Sequence, residues 1–193
     1  MPKKTDSKQR MISAARRLFR EHGYHGTALS EVITESAAPR GSLYFHFPGG
    51  KEELATEVAL LHAAEAIAHV NRVAGATDTP AELIAGFMGR FRDELVASDY
   101  REGCAMAPIV IETTPSSAPL SDVSRRAFAD VIAVLAARLT DKDVPSDRAT
   151  VLATNTVTAM EGALILARVL RNTEPFDGAI ATLSASAAAV VAH

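Results

Sequence analysis

The chain has 193 residues, a single cysteine and a formal net charge of −3. That length suits one ordinary domain or a small domain joined to a larger one. One cysteine excludes an internal disulfide and fits a reducing cytoplasm. The start, Pro2-Lys3-Lys4-Thr5, has no apolar run of the kind a secretory signal carries. The net charge argues against a nucleic-acid binder until the chain is divided. Residues 1–51 hold nine Lys or Arg against four Asp or Glu, whereas residues 52–193 hold eleven against nineteen. A basic head is what phosphate neutralisation needs, although an ordinary solvated surface with a lysine-rich start gives the same counts.

Met1 to Asp6 reads as a short basic arm. Ser7 to His22 reads as a helix, with Met11, Ile12, Ala15, Leu18 and Phe19 on one face and Gly23 ending it. Leu29, Val32, Ile33 and Ala37 then recur at i, i+3, i+4 and i+8, one face of a second helix. Thr27 stands where its hydroxyl can cap that helix. Pro39 breaks the pattern, since the residue before proline is pushed out of the α region. From Pro39 to Phe47 the spacing predicts a third helix, with Leu43 and Phe47 inward and Arg40, Ser42, Tyr44 and His46 outward. The pair of helices over about residues 28–47 reads as a helix-turn-helix, whose second helix suits the DNA major groove.

Thr27, the Leu43-Tyr44-x-His46-Phe47 run and Lys51-Glu52-x-Leu54 resemble the amino-terminal domain of TetR-type transcriptional regulators. Residues from about Ser7 to Leu61 follow that pattern. Two features depart from it. Ala37 occupies a turn position often held by Gly, so the turn must avoid φ > 0 there or bear strain. Pro48-Gly49-Gly50 is one residue longer than the usual link. The sequence also resembles a branch of the family related to LmrA and YxaF, whose members repress drug-efflux or enzyme genes until a small molecule binds.

The DNA contacts sort by what they read. Arg40 has the fork to grip a guanine edge, and one such pair discriminates by roughly 1–3 kcal/mol. Gly41 and Ser42 lack bulk and let the helix approach the bases. Phe45 suits a thymine methyl or a sugar. The resemblance implies backbone phosphate contacts for Tyr44 and His46, with Thr27 and Lys51 adding others at helix starts.

Lys51 to about Val73 reads as a long helix with Leu54, Val58, Leu61 and Ile67 inward. His62, Glu65 and His69 share one of its faces; that spacing can hold a metal, but a half-exposed polar face is the plainer reading, and no metal or cofactor is expected. Gly75 to Asp78 is a linker. Thr79-Pro80-Ala81-Glu82 is a helix start with a cap, a first-turn proline and a Glu three on. Leu83, Ile84, Phe87, Met88, Phe91 and Leu95 form the apolar face behind it. Gly103 to Glu112 is nearly uncharged and reads as a short buried helix; it resembles a glycine-cysteine segment of the LmrA-like branch. Cys104 has two readings, a reactive sensor thiol or a buried apolar residue.

Leu120 to Leu139 reads as a helix with Leu120, Val123, Ala127, Val131, Leu135 and Leu139 inward. Ser146 is expected to cap a helix that reaches about Arg171, with Asn172 beyond. A last helix is expected from about Asp177, after Pro175, to Val191. Only Glu161 is charged between Ala149 and Ala167, too polar a run for lipid, and nothing is charged from Gly178 to Val191. Helices apolar on more than one face need covering on more than one face. Ala153, Gly162, Ala163, Ser184 and Ala188 permit close approach, so a homodimer through these two helices is expected. Its two heads would read half-sites roughly 34–36 Å apart.

The expected architecture is all-α: a helix-turn-helix DNA-binding domain over residues 5–65 and a helical effector-binding and dimerisation domain over residues 79–193. The resemblance implies an effector pocket, to which Phe87, Met88, Phe91, Cys104, Met106, Phe128, Met160 and Glu161 are assigned. Glu161 either pairs with an arginine at the interface or selects a polar or cationic ligand. No Glu-x-x-His pair, phosphate-binding glycine loop or Cys-x-x-Cys argues for an enzyme. The function that the resemblance implies is a cytoplasmic, dimeric DNA-binding regulator, a repressor released from a pseudo-palindromic operator by a small apolar or aromatic effector. The alternative is an effector-independent architectural DNA-binding protein.

Overall fold

The computed structural model describes residues 4–39 and 41–191, and among these all regular structure is helical. The helices are α1 (Lys4–His22), α2 (Leu29–Glu35), α3 (Ser42–His46), α4 (Gly50–Ala74), α5 (Pro80–Ala97), α6 (Met106–Thr113), α7 (Ala118–Thr140), α8 (Ser146–Leu170) and α9 (Glu174–Val191). They form two compact units. Unit one holds residues 1–62 and 104–127, and unit two holds residues 63–103 and 128–193. The divisions fall inside α4, between α5 and α6, and inside α7. The expected basic arm is corrected in part, because Lys4 to Asp6 already belong to α1; Met1 to Lys3 lie outside the described residues.

In unit one, Met11, Ile12, Ala15, Leu18 and Phe19 are buried as the spacing predicts. Arg10 ties α1 to the end of α2 by donating from Nε to the Ser36 carbonyl at 2.9 Å, and Arg17 pairs with Glu35. Lys8 meets Glu57 of α4 at 2.6 Å. Ala37 sits at φ 50, so this turn bears the left-handed strain that a glycine would avoid. Leu54 and Val58 of α4 are buried, but Leu61 and Ile67 are only half-buried. The helix buries Ala55, Ala59, Ala63, Ala66, His69 and Val70 instead. Small residues allow close helix approach, which a search for large apolar side chains overlooks.

In unit two, α5 starts as expected: Thr79 Oγ1 accepts from Glu82 N at 3.2 Å, and Glu82 Oε2 accepts from Thr79 N at 3.1 Å. All six apolar residues assigned to its inner face are buried. Asp99 and Tyr100, both at positive φ, close its far end, and Arg171 pairs with Asp99 at 2.7 Å. α9 packs on α5 and α8.

Two helix starts differ from expectation. α8 is preceded by Pro145 with no side-chain cap, so Ser146 is its first residue rather than its cap. Its other end falls where expected, with Arg171 in the left-handed region and Asn172 beyond. α9 begins at Glu174, because Pro175 fits a helix's first turn and does not have to precede it. α8 is also long and apolar enough to meet the composition of a membrane span. Its face of Ala149, Leu152, Ala153, Thr156, Val157 and Met160 is nevertheless buried against protein, as in a core helix.

Candidate nucleic-acid interface

The third helix is shorter than the sequence predicts. It spans Ser42–His46 and not Pro39–Phe47, because the Ser42 N–H bonds the Pro39 carbonyl at 2.9 Å and makes a turn there. Ser42 Oγ donates to the same carbonyl at 2.7 Å. Leu43 and Phe47 are both fully buried and fix the helix to the core of unit one. The opposite edge is turned outward: Tyr44 is 65% exposed and Phe45 66%. Gly41 is exposed, and Ser42 and His46 are half-buried beside them. Large aromatic side chains held in water by a buried backing are in the right place to meet another surface. Arg40, assigned to a guanine edge, lies outside the described residues.

Thr27 does not cap α2. It is 1% exposed, and its hydroxyl donates to the Gly23 carbonyl at 2.9 Å. The residue before α2 is Ala28, whose N–H donates to Glu31 Oε2 at 2.6 Å. A carboxylate one turn into the helix thus takes over the role that the Thr27 hydroxyl cannot fill from inside the core. Lys51 lies in the first turn of α4 with its Nζ 4.6 Å from the centre of the Tyr24 ring. Partial burial pulls its pKa below the usual lysine value, and the carboxylates of Glu112 and Glu31 oppose that shift. Burial, with the charges of Glu52 and Glu112, raises the Tyr24 phenol. Sequence reasoning missed Glu112, whose carboxylate reaches back from α6 to the amides after α1 at a separation of 87 and 88 residues. No local pattern announces such a contact.

The residues assigned to an effector pocket do not fall in one compact unit. Cys104 and Met106 belong to unit one; Phe87, Met88, Phe91, Phe128, Met160 and Glu161 belong to unit two. Phe87, Met88, Phe91 and Met160 are buried, and Phe128 and Glu161 half-buried. Cys104 is buried, accepts from Met106 N at 3.3 Å and lies 3.8 Å from His62 Nε2.

His69 corrects the reading of a half-exposed polar stripe. It is buried and stacked on Phe87, with ring centres 6.0 Å apart, and it meets Phe91 edge-on. Its Nε2 bonds the Gly86 carbonyl at 3.2 Å. The ring is therefore committed to the packing of α4 against α5. Burial, followed by the charge of Arg90, lowers its pKa.

A basic helical head whose third helix presents an aromatic edge defines a helix-turn-helix DNA-binding protein. Residues 11–58 match the family of bacterial regulatory proteins of tetR type, and residues 80–182 match the carboxy-terminal domain of LmrA/YxaF-like transcriptional regulators. The chain is 35% identical over 172 residues to the HTH-type transcriptional regulator LmrA of Bacillus subtilis, covering 88% of this chain and 90% of that one. It is also 35% identical over 181 residues to an uncharacterized HTH-type transcriptional regulator of Mycobacterium tuberculosis, covering 88% of each. A crystal structure of a TetR transcriptional regulator from Legionella pneumophila superposes with a TM-score of 0.82 at 19% identity, over 93% of this chain and 96% of that one. The chain belongs to the TetR family of transcriptional regulators, in its LmrA/YxaF-like branch. It is a DNA-binding regulator and not an enzyme.

Proposed function

We propose that the protein is a repressor that binds a pseudo-palindromic operator as a homodimer in the cytoplasm and leaves it when a small apolar or aromatic effector binds. The DNA-binding head is assigned to residues 5–65 and the effector-binding and dimerising body to residues 79–193. On the operator, Arg40 and Ser42 read base edges, Gly41 permits close approach, and Phe45 meets a thymine methyl or a sugar. Tyr44, His46 and Lys51 hold backbone phosphates. Thr27 serves these contacts from within the core by bracing the turn before α2.

The observation that carries the dimer is a stripe at the end of α8. Ile165, Leu166, Val169 and Leu170 are between 52% and 73% exposed. A contiguous apolar patch on a helix end is costly to leave in water, and a second copy related by a two-fold axis covers it. The small residues divide. Ala153 and Ala163 are buried within their own chain, and Ser184 Oγ bonds the Ala81 carbonyl, whereas Ala188 is exposed and available to a partner. For the effector, the buried aromatic group of Phe87 and Phe91, with ring centres 5.3 Å apart, supports an apolar or aromatic molecule. An effector can release DNA only to the extent that it binds the non-operator conformer more tightly.

The test is gel-shift binding to DNA upstream of the gene and its neighbours, with and without a panel of aromatic and cationic compounds. Specific binding that one compound releases, and that an Arg40→Ala Tyr44→Ala variant lacks, is the expected outcome. Specific binding that no ligand from a broad panel weakens favours the effector-independent architectural reading.

A further inference from the structure

We propose that Glu112 is a positioning residue for DNA binding, a carboxylate on α6 that sets the height at which the head presents Lys51 to a phosphate. The inference rests on the DNA-binding reading and adds to it a residue outside the helix-turn-helix.

The geometry is a clamp within unit one. Glu112 Oε1 accepts from Tyr24 N at 3.2 Å and Oε2 from His25 N at 2.5 Å. The His25 ring donates back from Nε2 to the Glu112 carbonyl at 3.2 Å. These two amides follow Gly23, which ends α1 at φ 82. A Cβ at Gly23 would lie 2.5 Å from Glu112 Oε1, so the carboxylate occupies the space that a side chain would fill. Gly23 suits this backbone angle, and a side chain there would have to displace the Glu112 carboxylate. A carboxylate is electrostatically out of place beside the carboxy-terminal end of a helix. The two amide donors and the nearby Lys51 ammonium offset that cost.

The clamp reaches the interface through Tyr24. Its ring packs on Phe19 at 5.6 Å between centres and carries the Lys51 ammonium at 4.6 Å. The same turn supplies the Gly23 carbonyl that holds Thr27. A second tether runs parallel to the first: Ser117 Oγ, in the loop after α6, donates to Glu52 Oε2 at 2.7 Å. Both the turn before α2 and the first turn of α4 are therefore held from the α6 side. Losing Glu112 frees the Tyr24–His25 turn, and Lys51 loses the platform under its ammonium.

The sign of the effect separates this role from plain electrostatics. Removing a carboxylate near a DNA-facing lysine makes the surface more positive, which by itself tightens binding. The clamp requires the opposite. Glu112→Ala is expected to weaken operator binding by about tenfold and to reduce the slope of log K against log salt by about two per dimer, one phosphate contact in each half-site. Glu112→Gln, which keeps one carbonyl acceptor, should lie between. Adding Glu112→Ala to Lys51→Ala should weaken binding no further, because the two act on one contact. Unchanged or tighter binding by Glu112→Ala, an unaltered salt slope, or additive losses with Lys51→Ala would each overturn the proposal; thermal melting of each variant confirms that it is folded. Amide hydrogen exchange of the free protein tests the clamp without DNA: Tyr24 and His25 should be protected in the wild type and exchange faster in Glu112→Ala. Equal exchange overturns the clamp itself. Protected amides in a wild type that binds no DNA specifically would overturn the DNA-binding reading, and with it this role for Glu112.

Discussion

Leu43 and Tyr44 are neighbours in sequence and opposites in structure, and substituting each in turn separates folding from binding. Leu43 is fully buried, while Tyr44 is 65% exposed. Leu43→Ala removes a core side chain from the small head, at a cost of about 2–5 kcal/mol, since the transfer term and the cavity term add. Against a total stability of about 5–15 kcal/mol, that loosens the head at ambient temperature. Tyr44→Ala removes little packing, so its stability cost stays within about 0.5 kcal/mol. Its cost falls on DNA binding. A hydrogen bond to a charged phosphate contributes about 1.5–3 kcal/mol, and each head of the proposed dimer makes one, so about 3–6 kcal/mol, or upwards of roughly a hundredfold in operator affinity, is lost. Tyrosine carries no charge, so the salt dependence should keep its slope while the affinity falls at every salt concentration. The assay is a thermal melt of each variant beside operator titrations at several salt concentrations. If Tyr44→Ala melts as early as Leu43→Ala, or binds the operator like the wild type, the assignment of inner and outer faces to α3 is wrong.

Four further outcomes are expected. Thr79→Ala removes the hydroxyl that accepts from Glu82 N and should cost about 1 kcal/mol. In a chain of this size that lowers the Tm by about 2–4 °C, and an unchanged melt would contradict the cap. Ala37→Gly relieves a residue held at φ 50; the strain relieved, about 1–2 kcal/mol, exceeds the added unfolded-chain entropy of about 0.4–1 kcal/mol, so the Tm should rise. His69 is held below its ordinary pKa by burial and by Arg90. The unfolded chain therefore binds its proton at higher pH than the fold does, so stability is level above about 6.5 and falls as pH drops from there towards the folded value. Urea unfolding at neutral and mildly acidic pH should show that loss, and His69→Gln should remove the part due to this group. Val169→Asp places a charge on the exposed end of α8, where Val169 is 73% exposed. If the proposed dimer forms through this stripe, light scattering should report a dimer for the wild type and a monomer for the variant, with the helix content unchanged.

Much of this protein was legible in its sequence because helices announce themselves locally. The spacing of Met11, Ile12, Ala15, Leu18 and Phe19 fixed which face of α1 is buried, and Leu43 with Phe47 did the same for the third helix. Thr79-Pro80-Ala81-Glu82 named its own cap, since every partner lies within three residues. The Leu-Tyr-x-His-Phe run by itself points to the family. Local chemistry misled where a side chain had a distant alternative. Thr27 looks like a cap, yet its hydroxyl turns inward to Gly23. His69 looks like one member of a polar stripe, yet α5 packs two phenylalanines against it, one stacked and one edge-on. The tertiary structure alone decided that Glu112 would meet Tyr24 and His25, because hydrogen bonds across 87 and 88 residues depend on where helices pack and not on any periodicity. Periodicity tells each helix which side to bury, and only packing tells a buried or reaching polar group which partner it will find.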